Sequence, residues 1–165
     1  MKQITDYEVH QQLTFLYLAF AHQTDFDLSD KEIKYITEKI IGWYPDIDWD
    51  IGGFYDDFQE VMQWYSDTCI LSEQAMGESA KKAFLDQFEA LVEKGKIDVE
   101  FMNPIMTTVM AIAKHFGQVL TEENGWDSET KIKIIRELNE LAKVDGQVND
   151  NEKEWLAGLG KDMGL

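Results

Sequence analysis

Residues 9–22 read VHQQLTFLYLAFAH, and their spacing decides the fold class. Val9, Leu13, Leu16 and Phe20 recur at i, i+4, i+7 and i+11, which is one face of a helix expected over residues 6–23. Phe15, Tyr17 and Leu18 put apolar groups on the other faces, so this helix is expected at the centre of a bundle. Downstream, Ser29-x-x-Glu32 is a capping box: Ser29 can accept from the N3 amide while Glu32 accepts from the cap amide. Ile33, Ile36 and Ile40 form the stripe of a second helix, expected to stop near Gly42 and Pro45. A third helix follows Gly52-Gly53 with Phe54, Phe58, Val61 and Tyr65. A fourth is expected from Ser72, carrying Ala80, Phe84, Phe88 and Leu91 as far as Gly95.

Asn103-Pro104 reads as an N-cap followed by proline at N1, opening a fifth helix. Its stripe is Ile105, Val109, Ile112 and Phe116, and Gly117 is its expected end. TEENGWD (residues 121–127) leads to a sixth helix with Ile134, Leu138 and Leu141, closed by Gly146. Asn149-x-x-Glu152 opens a seventh, with Leu156, Leu159 and Met163 as its core face. No segment shows the two-residue alternation of a half-buried strand. The expected fold is all-α: one domain over residues 1–165, a compact bundle of about seven helices.

Charge narrows the function. Lys and Arg total 15 against 32 Asp and Glu, a formal charge of −17, and Arg136 is the sole arginine. Phosphate-binding surfaces are built on clustered Lys and Arg, so neither nucleic acid nor an anionic membrane is an expected partner. Cations or basic proteins are. The single Cys69 forms no internal disulfide and excludes a cysteine-based zinc site. No apolar run approaches the roughly 18 residues of a membrane span. MKQITDYEVH lacks the basic-then-apolar pattern of a signal peptide, so a soluble cytoplasmic protein is expected.

Two stretches match at an offset of 120 residues: DFDLSDKE at 25–32 and DGQVNDNE at 145–152. Asp25, Asp30 and Glu32 thus align with Asp145, Asp150 and Glu152, and Leu28 with Val148. Leu18 aligns with Leu138, Tyr35 with Trp155, and Ile36 with Leu156. Each unit is a helix, an acidic turn and a capped helix. The run LAKVDGQVNDNE at 141–152 resembles the signature of TerB-like proteins, the tellurite-resistance family of small acidic helical bundles. Residues 16–32 occupy the place of that family's first acidic turn. The resemblance implies an association with tellurite and stress resistance. It also makes Asp25, Asp27, Asp30, Glu32, Asp145, Asp150 and Glu152 candidate ligands of a divalent cation (Ca, Mg, Mn or Zn).

Two roles compete for these acids. Asp30, Glu32, Asp150 and Glu152 fall in first helical turns, where carboxylates complement exposed amides and the positive dipole end. Asp25 and Asp145 sit near helix C-termini, where negative charge is unfavourable, so an Asx-turn or a bridging cation must explain them. Neither turn is an EF-hand, because Leu141 and Lys143, or Ala21 and Gln23, would stand where carboxylates are needed. A second acidic stretch, Asp46-Ile-Asp48-Trp-Asp50, has alternate-aspartate spacing, and no Lys or Arg occurs between Ile40 and Ala80. Trp43, Tyr44, Trp49, Phe54 and Tyr55 bracket it, either anchoring the loop or presenting an aromatic-acidic patch. His10, His22 and His115 lack the paired spacing of a zinc enzyme. Met102, Met106 and Met110 form a helical stripe expected in the core.

No nucleophile–base pair, phosphate loop or metalloprotease motif is present, so catalysis is not expected. The expectation is a non-enzymatic TerB-like protein that binds divalent cations weakly and docks on other proteins. The alternative is an immunity-like or inhibitory module whose acidic aromatic face binds a basic partner without metal. Asp145→Asn separates a ligand from a turn residue, because Asn keeps the side-chain bonds of the turn but loses the charge hard cations prefer. If Asp145 is a ligand, the variant keeps its metal-free melting temperature and loses metal-dependent stabilisation. That loss is about 2.7 kcal/mol at a metal concentration 100 times Kd. Calorimetry with chelator and with each metal is the check; identical melting throughout means the acid is a turn residue.

Overall fold

Every residue from Gln11 to Ala21 is buried, on all sides of the helix that carries them. Leu13, Phe15, Leu16, Tyr17, Leu18, Ala19 and Phe20 are wholly inaccessible, so the first helix is the axle of the bundle, as its all-round apolar pattern implies. The computed structural model describes residues 7–25, 28–49, 53–75, 117–122, 124–144, 146, 148 and 150–165. Among them all regular structure is helical: α1 (Val9–Asp25), α2 (Asp30–Trp43), α3 (Gly53–Ala75), α4 (Ser128–Leu141) and α5 (Asp150–Asp162). A further helical stretch covers residues 117–122. α1 packs against each of the other four, α2 also packs against α4, and α4 against α5.

Ring and hydrogen-bond contacts set the directions. Tyr44, after α2, meets His10 at the start of α1, so α2 returns along α1. Phe15 meets Trp64 and Tyr65 while His10 meets Asp57, so α3 runs alongside α1 in the same sense. Tyr35, early in α2, bonds to Glu140 near the end of α4, whereas Trp43 at the end of α2 bonds to Glu137. α4 therefore runs with α1. The start of α5, at Trp155, packs on Phe20 near the end of α1, with ring centroids 5.0 Å apart. The handover from α1 to α2 and that from α4 to α5 consequently lie at one end of the bundle.

The ends of the helices follow their local chemistry. Ser29 caps α2 as expected: Glu32 N donates to Ser29 Oγ at 3.2 Å, and Ser29 N donates to Glu32 Oε2 at 2.8 Å. Asp127 caps α4, accepting from Thr130 N at 2.8 Å, and that bond holds its carboxyl below the usual range. Gly125 supplies the left-handed backbone (φ 58°) at the turn before this cap.

Three expected boundaries are corrected. Ser72 does not open a new helix; α3 continues to Ala75, since nothing from Val61 to Ser72 is a Gly or Pro that would break it. Gly117 does not end a helix, because residues 117–122 are helical and Leu120 is buried. α4 ends at Leu141 rather than at Gly146, its last turn tightened by i→i−3 bonds from Lys143 and Val144. The expected fourth helix beyond Ala75, the fifth helix up to Phe116, its Asn103-Pro104 start, the Met102–Met106–Met110 stripe and His115 lie outside the described residues.

Gly117 has a packing role in place of the expected stop. A Cβ there would lie 2.5 Å from Leu159 Cδ1, and Leu159 is itself wholly buried. Gly117→Ala should therefore lower stability by about 1–3 kcal/mol, the usual cost of overpacking, although alanine would gain about 1 kcal/mol in an open helix. Chemical denaturation checks the sign; a stabilised variant would mean Leu159 simply steps aside.

Candidate functional site

The repeated acids divide by what already occupies them. Glu32 is buried, with Oε2 taken by Ser29 N at 2.8 Å and Ser29 Oγ at 3.0 Å, so its carboxylate closes the capping box. Asp30 is exposed in the first turn of α2. Asp150 is exposed in the first turn of α5 and pairs with Lys153 at 2.9 Å. Glu152 is buried two residues on. Asp25 closes α1, but its carboxylate lies outside what is described, as do Asp27, Asp145 and Asn149. Among the described residues no three His, Cys, Asp or Glu side chains gather as metal ligands would.

Within the stretch without bases, exposed residues run from the end of α2 through the connecting loop onto α3. Asp46 and Asp48 are exposed in the connecting loop, and Asp50 lies outside the described residues. On α3 the exposed residues Asp56, Gln59, Gln63 and Asp67 fall at i, i+3, i+7 and i+11, one side of the helix. Among them Tyr55 is 63% exposed, while Ile41 and Ile47 are each 36% exposed. The other aromatic residues of this region are anchors. Trp49 Nε1 donates to Tyr44 O at 3.0 Å, and its ring stands edge-on to His10 and Phe54. Asp57 faces inward: its carboxylate lies 2.9 Å from His10 Nε2 and accepts from Gln11 Nε2 at 3.3 Å. Glu60 accepts from the same Gln11 amide at 3.2 Å. Of the bracketing aromatics, Tyr44, Trp49 and Phe54 anchor the loop, Trp43 turns to Glu137 and Trp126, and Tyr55 is exposed.

A second polar cluster was not legible from motifs. Glu137, only 5% exposed, sits where α1, α2 and α4 meet. Its Oε2 accepts from Tyr17 Oη at 2.6 Å and from Trp43 Nε1 at 2.7 Å. Tyr35 Oη lies 3.0 Å from the Glu137 carbonyl oxygen and 2.9 Å from Glu140 Oε2, which Lys39 Nζ reaches at 3.3 Å. Lys133 Nζ stands 3.7 Å from the centre of the Trp43 ring, a cation–π contact. A buried carboxylate is tolerated because strong donors replace its water. The signal available in the sequence was Glu137 beside the core residue Leu138, yet helical spacing alone gives no partner for it.

This chemistry is structural. The Glu137 carboxylate is enclosed by its donors, and the phenols are held neutral. Tyr17 is pushed well above the ordinary tyrosine value by burial first and then by the Glu137 charge. Burial, followed by the bond to Glu140, raises Tyr35. The same bond from Tyr35, then Lys39, holds Glu140 low. Tyr44 is pushed up to about 12 by burial. Comparison with family models, with curated proteins and with solved structures returned no match.

A raised phenol is neutral in the folded state, so its contribution is whole below the unfolded value of about 10 and is lost as pH rises through the folded values. Ionisation of Tyr17 and Tyr44, seen as tyrosinate absorbance beyond that of the exposed Tyr55, should therefore accompany loss of helix content in alkali, above about pH 10. Tyr17→Phe should cost about 1–3 kcal/mol at neutral pH, because Glu137 then keeps one donor fewer. Alkaline titration by circular dichroism and urea melts check both; full tyrosinate absorbance from all six tyrosines while the helices persist would contradict the burial of Tyr17 and Tyr44.

Proposed function

We propose that the chain is a non-enzymatic TerB-like domain of two related helix–acidic turn–helix units, serving in stress resistance by docking on a basic partner protein. The observation that carries docking is the exposed side from Ile41 to Asp67, which holds Asp46, Asp48, Asp56 and Asp67 with Ile47 and Tyr55 and no Lys or Arg. Elsewhere the chain interleaves bases with acids, as Lys34–Glu38 and Lys153–Asp150 do. An unneutralised acidic field speeds encounter with a basic surface, and the exposed apolar groups within it supply contact once water is displaced.

The two-unit architecture is supported by contacts that respect the 120-residue offset. Tyr17 and Glu137 occupy equivalent positions and bond to each other. Phe20 packs on Trp155, and the equivalent pair, Glu140 and Tyr35, also meets. Such exchange is what two similar units packed about a twofold axis would produce. Seven helices remain our reading for the whole chain, with the fourth and the part of the fifth up to Phe116 outside the described residues.

Weak divalent-cation binding is a second reading, favoured by the two handovers lying at one end of the bundle. It falls to Asp25, Asp27, Asp30 and Asp145, since Glu32 is engaged by Ser29, Asp150 by Lys153, and Glu152 is buried. Tellurite resistance rests on the TerB-like resemblance of residues 141–152.

Docking is tested with a partner captured from lysate by the full chain. Asp46→Asn, Asp48→Asn and Asp56→Asn combined should slow association roughly tenfold or more at low salt and much less at 0.5 M salt, with dissociation little changed. Glu38→Gln, on the outer side of α2, should change neither rate. Equal rates for the triple variant and wild type would exclude this side as the docking surface.

A further inference from the structure

α4 carries a second side on which Ile132 is exposed and Ile135 only partly covered by the core. Ile134, Leu138 and Leu141 face inward, whereas Ile132, Ile135, Arg136 and Asn139 fall at i, i+3, i+4 and i+7 on another side. Together with Leu156 of α5 and Leu165 beyond it, these residues line a depression of about 330 Å³. The lining is almost wholly apolar, and it is open to solvent: Ile132 is 54% exposed and Leu165 50%. Its volume falls at the small end of ligand sites, which run from roughly 300 to 1,000 Å³.

The charged side chain lining this depression is that of Arg136, the sole arginine in a chain of formal charge −17. Among the described residues its guanidinium makes no hydrogen bond and no ion pair. Glu140, the i+4 acid one turn on, feels the Arg136 charge but takes its hydrogen bonds from Tyr35 Oη at 2.9 Å and Lys39 Nζ at 3.3 Å. A fork of donors is thus left beside an apolar hollow.

The geometry points to a binding site for a small amphiphilic carboxylate, an aliphatic chain ending in one carboxylate, with the chain against Ile132, Ile135, Leu156 and Leu165 and the carboxylate on Arg136. Charge complementarity selects this occupant. A neutral apolar ligand leaves the guanidinium without an acceptor, and an ammonium would face it directly. The planar guanidinium matches a carboxylate with two parallel bonds, and Asn139 offers a further amide donor. A dianionic phosphate ester would meet about twice the repulsion from the net negative chain.

The test is a methyl and amide NMR titration of the full-length protein with octanoate, 1-octanol and octylammonium. Octanoate should give saturable shifts centred on Ile132, Ile135, Leu156 and Leu165, with a Kd roughly tenfold or more below that of octanol. Octylammonium should bind more weakly than either. Arg136→Met should bring octanoate to the level of octanol while leaving octanol unchanged. Ile132→Ser, at an exposed position, should weaken both. An octanoate Kd that Arg136→Met does not alter overturns the site, as does a shift pattern centred elsewhere or one that never saturates. Sedimentation of the ligand-free chain supplies the other arm: a concentration-dependent dimer abolished by Ile132→Ser would mean that a second copy covers this face and would also overturn the proposal.

Discussion

A helix that is apolar on every side must be covered on every side, and α1 imposes that requirement on the whole molecule. Leu13, Phe15, Leu16, Leu18 and Phe20 point in directions spanning the full turn of the helix, and all are inaccessible. Each contributes roughly 1.5–3 kcal/mol only when water is excluded from it. The contacts of α2, α3, α4 and α5 with α1 supply that exclusion. The polar residues of α1 obey the same constraint. Gln11 and Tyr17 are buried and find carboxylates on α3 and α4, so the axle is keyed to its neighbours by bonds as well as packed against them.

That keying separates the two acidic surfaces in kind. Around Glu137 the negative charge is enclosed by phenol, indole and nearby lysine, and it fixes how α2 and α4 sit on α1. On α3 the exposed Asp56 and Asp67 meet no Lys or Arg among the described residues. A carboxylate already saturated with buried donors gains little from a new contact, whereas an exposed one keeps its acceptors open. Counting acids does not distinguish them; asking which donors each carboxylate has does.

The all-helical class, the central first helix, the Ser29–Glu32 box and the start of α3 at Gly53 were legible because each depends on neighbours within a few residues. Boundaries set by distant contacts were not. Gly117 carries a helix-stop signature, yet Leu159, more than forty residues later, needs its missing side chain. The candidate site was legible in part. The exposed aspartates follow from composition, and the mixed roles of Trp43, Trp49 and Tyr55 do not, since burial is decided by what lies across the interface. Glu137 went unnoticed because its partners Tyr17 and Trp43 lie 120 and 94 residues away.

Those separations also bear on how the chain reaches its fold. Helical proteins usually assemble quickly because their contacts are local. Here the bonds that set α4 against α1 and α2 join residues 94 to 120 positions apart, so the intervening chain must be gathered before any of them can form. Loop-closure entropy rises only slowly with length, by about 0.6 kcal/mol for each doubling, but none of it is recovered until the seam closes. Until then, among the described helices only α2 and α3 cover α1, and the side that meets α4 and α5 waits for them. The parallel pairing of α1 with α4 therefore gives an all-helical protein the assembly problem of a parallel sheet: its most apolar element waits longest for its last partner.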